Sequence, residues 1–324
     1  MRKSTKNTVV NRITTPLQNY HEGGGNYDGS YAFDGFVENK YFTSDRTIKL
    51  NSSFERADGK PLKGFGLEIE MESNLTMSSE HNAVMCRDYL ATSLPKELFK
   101  YQRDGSLNYG VEAITQPMTK EFIRNNYPNF RIMWQKMDVL GLRPGDHCGM
   151  HVNMSNALFG KDTLTQIDNI KKFTYFINAT NNYKLCCKLL NRSYSRIGFC
   201  EQMGRYETKE GAQNADTSMW VETRTNHGVS MNLAHFEKGR VELRLVGPQP
   251  KYANFRNTME VIFHLIDRIN SISWNKIDDL YEVFKGCNQY VVDRLYDCYT
   301  DGLITSDLYS KINDAKIEVD FGRN

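Results

Sequence analysis

The sequence predicts an α+β protein in which an antiparallel β-sheet carries one polar face and one apolar face packed on helices. Three observations lead there. The segment Gly66-Leu67-Glu68-Ile69-Glu70-Met71-Glu72 alternates carboxylates with large apolar residues, the two-residue period of a strand. Other short segments repeat this alternation between turn signals. Between and after them run stretches with the three-to-four-residue apolar spacing of helices.

Residues 1–45 are dominated by Asn, Gly, Tyr, Ser and Thr, include Gly23-Gly24-Gly25, and show no sustained apolar period. They read as a poorly ordered leader, or as an arm able to dock on a protein partner. The folded part is expected to begin near Arg46. Thr47-Ile48-Lys49-Leu50 alternates, Ala57-Asp58-Gly59-Lys60 signals a turn, and the acidic strand follows. Together these suggest a hairpin with a longer loop. Leu98–Gln102 and Val111–Thr115 are two further short strands, the second stopped by Pro117.

A helical pattern covers Lys120–Leu140. Pro128 should break it and restart it as a first-turn residue, and Gly141 should end it. Cys148–Ser155 alternates as a strand. Thr163 with Gln166 reads as a capping box. The helix that follows sets Ile167, Ile170, Phe173, Phe176 and Ile177 on one stripe.

Residues 193–226 form a polar insertion with little periodicity, the signature of a lid or a disordered loop. Val229–Leu233 and Val241–Leu245 alternate on either side of the turn Glu237-Lys238-Gly239 and predict a hairpin. Tyr252–Ile269 is a clear amphipathic helix, and helices over 276–299 and 305–316 close the chain. The expected organisation is a leader at 1–45, a main domain at 46–272 carrying the insertion at 193–226, and a helical extension at 273–324.

With 324 residues, 40% of them hydrophobic, the chain can build one large core or two small ones. A net charge of +2 gives no support for a nucleic-acid or membrane-surface partner. No apolar run approaches the roughly 20 residues that span a bilayer. The basic start Met1-Arg2-Lys3 is not followed by an apolar signal core. Seven cysteines, an odd number without regular spacing, point to reduced thiols and a cytoplasmic location.

The chemistry lies on the polar face of the expected strands. Glu68, Glu70 and Glu72 come from the first and Glu112 from the second. His151 and Asn153 lie on the strand after Cys148, and Glu242 and Arg244 on the last. A solvated face usually mixes Thr, Lys and Ser, whereas these strands offer carboxylates, one His, one Arg and no Lys. Carboxylates on one face repel and call for a positive partner, and a hard divalent cation supplies it.

For each residue a plainer reading competes. Glu72 lies near the strand end and faces solvent or supports the site from behind. Asp104, in Arg103-Asp104-Gly105-Ser106, fits an ordinary turn. His151 is as readily a structural histidine. Glu242 and Arg244 are either a surface ion pair or a metal carboxylate beside an arginine that grips a phosphoryl group. No phosphate-binding Gly-rich loop, nucleophile elbow or zincin motif is present, so a nucleotide would be held through metals and arginines.

In order along the chain, Gly66-Leu67-Glu68-Ile69-Glu70, Asp104-Gly105-Ser106, Val111-Glu112, Cys148-Gly149-Met150-His151-Val152 and Val241-Glu242-Leu243-Arg244 resemble the motifs of the amidoligase family. These are carboxylate–amine ligases related to glutamate–cysteine ligases and, more distantly, to glutamine synthetases. Arg192-Ser193-Tyr194 also looks like a family feature, and the resemblance spans residues 64–270.

The resemblance implies a curved antiparallel sheet with helices on its convex side, of the type shared with guanidino kinases. Its concave face would hold ATP with about two or three Mg²⁺ ions, or Mn²⁺ in their place. Glu68, Glu70, Glu112, His151 and Glu242 would be metal ligands. Arg244 and Asp104 would be catalytic, with Arg244 on the transferred phosphoryl group. Arg192, Arg196, Asn153 and Asn232 would contact the nucleotide. Asn153 departs from the family, which often has His there.

Arg192, Arg196 and Arg205, in or beside the insertion, could close over the phosphates, or be solvated loop charges. The substrates would be a small-molecule or peptide carboxylate and an amine. Two other classes remain open at this level: a phosphotransferase that stops at phosphorylation, and a non-enzymatic assembly protein that kept the fold and docks through its leader.

Overall fold

The computed structural model of the protein describes residues 40–50, 56–73, 90, 94–102, 107, 110–145, 148–194, 200–224 and 228–318. It is a mixed α+β fold with antiparallel sheets, and it divides into two units. The first draws on Met1–Lys60, Gly66–Met150 and Pro250–Tyr252. The second draws on Pro61–Phe65, His151–Gln249 and Ala253–Asn324.

In the first unit, β1 (Lys40–Phe42) pairs antiparallel with β2 (Thr47–Lys49), Tyr41 facing Ile48. This corrects the expected hairpin, in which Thr47–Leu50 would pair with the acidic strand downstream. The reason is local. Thr43 and Ser44 donate their hydroxyls to Asp45, and Thr43 N–H donates to Arg46 O, which closes a tight turn. Such a short closure costs less chain entropy than the longer loop. Strand β1 therefore lies inside the segment read as leader. Phe42 ties it down through backbone bonds with Pro117 and Thr119 and through ring contact with Phe122.

Strands β3 (Phe65–Ser73), β4 (Phe99–Gln102) and β5 (Val111–Thr115) form antiparallel ladders in the order β4–β5–β3. In these, Ile69 faces Ala113 and Glu70 faces Glu112. The alternation works as read. Leu67, Ile69, Met71, Val111 and Ala113 are sealed from solvent, each contributing on the order of 1–3 kcal/mol by burial.

Helices α1 (Lys120–Asn125) and α2 (Tyr127–Leu140) follow. The break falls at Asn126, with Pro128 in the first turn of α2 and Gly141 closing it at φ 70°. Phe122, Ile123, Phe130, Met133 and Met137 are buried. Strand β6 (Leu142–Arg143) then pairs with the end of β3, Glu72 facing Arg143.

The second unit contains nearly all of β7 (Met150–Ser155), whose first residue belongs to the first unit. Helices α3 (Thr163–Asn178), α4 (Tyr183–Leu189) and α5 (Lys209–Gln213) come next. They are followed by β8 (Met231–Asn232), β9 (Arg240–Leu243) and α6 (Tyr252–Ser271). Strands run antiparallel in the order β7–β9–β8. Asn153 and Asn232 both face Glu242, while Val152 and Met231 both face Leu243. The predicted β8–β9 hairpin forms, with Gly239 at φ 92°. Phe65 packs edge-on against Phe263 of α6.

Two helix boundaries differ from expectation. The cap of α3 is Asp162, not Thr163: its carboxylate accepts from Thr165 N–H and the Thr165 hydroxyl, and Gln166 instead reaches Gly160 O. The helix expected over 276–299 is two helices, α7 (Leu280–Phe284) and α8 (Gln289–Thr300). Gly286 at φ 73° stops the first, and Asn288 caps the second by accepting from Tyr290 and Val291 N–H. Helix α9 (Ser306–Asp314), capped by Thr305, ends the described fold.

His264 of α6 donates Nε2–H to Val283 O at 2.9 Å and stacks on Phe284. Burial is the main reason its pKa drops from 6.5 to about 4; Arg268 adds to the drop and the Val283 carbonyl opposes it. Below pH 6.5 the unfolded chain takes up a proton that the folded ring refuses. This contribution to stability is therefore lost as pH falls from 6.5 to about 4. We expect a loss of roughly 1–3 kcal/mol across that window, read from urea midpoints. His264→Gln should show a clearly shallower pH dependence, and an unchanged slope would contradict this account.

Candidate functional site

In the first unit the β3 and β5 ladders place Glu68, Glu70 and Glu112 on one face, each only 8% exposed. A carboxylate oxygen of Glu68 and one of Glu112 lie within 4.8 Å of each other. Carboxylates this close are favoured by a positive charge between them. The pair is thus a ready oxygen donor set for a cation. Glu70 is tied differently: its Oε2 accepts from Gly149 N–H at 2.5 Å, and its own N–H donates to Gly149 O.

Lys100, facing Ile114 in the β4–β5 ladder, shares the acidic face and is half-buried. The sequence reading expected no lysine there. Its signal was present in the alternation of Phe99-Lys100-Tyr101, but the strand order needed to use it was not. Glu72 is half-buried beside Gly145, where a β-carbon would come 2.9 Å from Glu72 Oε2.

In the second unit the centre is Glu242, 2% exposed. It accepts from Arg244 Nη1 at 2.7 Å and from Asn232 Nδ2 at 3.1 Å, and His151 Nδ1 lies 3.5 Å away. Burial alone would raise the pKa of Glu242. Arg244, His151, Arg240 and Asn232 outweigh it and hold the pKa down at about 2. The carboxylate is therefore ionised throughout the neutral range.

Asn232 is committed within the fold. Besides donating to Glu242, its Oδ1 accepts from the Thr223 hydroxyl and from Ala234 N–H. Asn153 is fully buried opposite Glu242. Arg192, half-buried, donates to the carbonyls of Arg244, Leu245 and Val246. Arg205 is exposed. Asp104 and Arg196 lie outside the described residues.

The described residues of the polar insertion carry more regular structure than its composition suggested. Its described part holds α5 and short 3₁₀ turns at Gly204–Tyr206 and Thr217–Arg224. Trp220 donates its indole N–H to the Tyr206 hydroxyl and packs edge-on against Phe236. Buried aromatics within a polar stretch were the available signal. The described cysteines are buried and in no disulfide, with burial pushing Cys187, Cys287 and Cys298 up to about 12. No helix among the described residues is long and apolar enough to cross a membrane. The chain matches no family model and no curated protein.

Removing Arg244 would leave Glu242 charged and buried with fewer partners. Arg244→Met should therefore destabilise the protein by about 2–4 kcal/mol at pH 7. Adding Glu242→Gln should recover most of that loss, giving a strong coupling in a double-mutant cycle of urea unfolding. Additive losses would show that the pair is not the centre of this cluster.

Proposed function

We propose that the protein is an ATP-dependent carboxylate–amine ligase that forms an amide or isopeptide bond. The observation that carries the reading is the buried Glu68–Glu112 pair, a donor set suited to a hard cation. The ordered motifs that resemble those of amidoligases support it, as does an arginine fixed beside a glutamate ionised in the neutral range. In this reading the antiparallel strands belong to a curved sheet of the glutamine synthetase and guanidino kinase type.

The residues fit the expected ions. Glu68, Glu70 and Glu112 supply carboxylate oxygens, hard donors that suit Mg²⁺ or Mn²⁺. When bound, divalent cations would draw negative charge off the phosphate oxygens. Glu242, committed to Arg244 and Asn232, serves as the counter-charge that fixes Arg244 rather than as a primary ligand.

A carboxylate and an amine do not condense at neutral pH without activation. The substrate carboxylate oxygen attacks the γ-phosphorus of ATP, the bond to the β–γ bridging oxygen breaks, and ADP leaves. The amine then attacks the carbonyl of the acyl phosphate, loses a proton, and expels phosphate. Arg244 neutralises charge on the phosphoryl group in both steps, and positioning does the rest. Asp104 and Arg196 retain the roles given them by the resemblance.

Purified protein given Mg²⁺–ATP with a pool of amino acids and small peptides should release ADP and phosphate. The product mass should equal carboxylate plus amine less one water. A phosphorylated acceptor would assign a phosphotransferase instead, and absence of nucleotide binding with either Mg²⁺ or Mn²⁺ would remove the reading. Mn²⁺ alone should raise the melting temperature by mass action. Glu68→Gln and Glu112→Gln should abolish that rise and slow turnover by about 100-fold or more.

A further inference from the structure

The segment that leaves β9 carries Arg244 and then runs on through Leu245, Val246 and Gly247. Arg192 meets it side-on. Its Nη2 donates to Arg244 O at 3.1 Å and to Val246 O at 2.7 Å, and its Nε reaches Leu245 O at 3.5 Å. A guanidinium has a rigid fork of donors that can span successive carbonyls, whereas a lysine ammonium is a single point. Two of the guanidinium nitrogens are thus committed to main chain.

The turn that carries Arg192 is itself fastened to the same segment. Gly247 N–H donates to Leu190 O, and Asn191, held at φ 60°, donates its side-chain amide to Pro248 O at 2.5 Å. A β-carbon at Gly247 would come 2.0 Å from Asn191 O, so glycine is what allows the two stretches to touch. Arg294 of α8 braces the turn by donating to Asn191 Oδ1. On the other side, Arg244 and Leu245 N–H both donate to Ser230 O, and Cys200 Sγ donates to Arg244 O. The backbone of residue 244 is therefore gripped from two directions while its side chain meets Glu242.

We propose that Arg192 is a positioning residue for Arg244: it clamps the main chain of residues 244–246, and so aims the Arg244 guanidinium, without itself touching the nucleotide. The mechanical part stands on the contacts alone; the catalytic part rests on the ligase reading. Displacement of such a group by about 1 Å is enough to cost a large factor in rate.

Hydrogen exchange tests the clamp without any ligand. In Arg192→Met the amides of Arg244, Leu245 and Gly247 should exchange about tenfold faster or more, with those of α8 unchanged. Arg192→Lys, a milder change, should fall between, and serves if the Met variant folds poorly. Unchanged exchange in both variants would overturn the proposal. Binding of Mg²⁺–ATP then separates aiming from contact. Arg192→Met should weaken affinity about as far as Arg244→Met, and the double variant should lose no more than Arg244→Met alone. Losses that multiply would mean that Arg192 binds the nucleotide directly and would overturn the proposal. If the wild-type protein binds no Mg²⁺–ATP, the ligase reading fails, and the exchange measurement still decides the clamp.

Discussion

An ionised carboxylate taken out of water must be given positive charge or N–H donors, at a cost of several kcal/mol if they are missing. That constraint organises the polar side of both units. Glu242 satisfies it with Arg244 and Asn232, and with His151 nearby. Glu70 satisfies it with the N–H of Gly149. Glu68 and Glu112 bring two carboxylate oxygens within 4.8 Å of each other on the same face. Glu242, bonded by both Arg244 and Asn232, is fixed from two sides.

The apolar sides of the same strands supply the rigidity. Val152, Leu243 and Met231 lie in register and wholly buried in the second unit, as do Ile69 and Ala113 in the first. A slip of one residue in either ladder would exchange these with the carboxylates, so the polar contacts and the core enforce the same register. The Arg192 turn extends this logic beyond the last ladder bond. It holds the continuation of β9 by side-chain donors and by a glycine contact, where regular pairing has ended.

Much of this was legible in advance. Period-two alternation identified β5 by its bounds, and β3, β7 and β9 to within a few residues. Gly141 and Gly239 marked real chain reversals because positive φ favours glycine. The membership of Glu68, Glu70 and Glu112 on one face followed from spacing and strand direction. Less legible were choices between near-equivalent local options. Asp162 and Thr163 can both cap a helix, and the aspartate prevailed by bonding both the N–H and the hydroxyl of Thr165. The β1–β2 hairpin prevailed over a longer one because its turn closes within a few residues.

What the sequence determined by itself is which side chains share a face and where the chain can turn, since both follow from backbone geometry over a few neighbouring residues. Tertiary structure alone decided which of those faces are buried and what each polar group bonds to. Lys100 joined the acidic face through strand order. Arg192 went to the carbonyls of residues 244–246, and Asn232 to Glu242. A long side chain at one position has many partners within reach in sequence terms. Its actual partner is set by segments remote in the chain, whose approach is governed by packing and by the cost of leaving a buried polar group unmet.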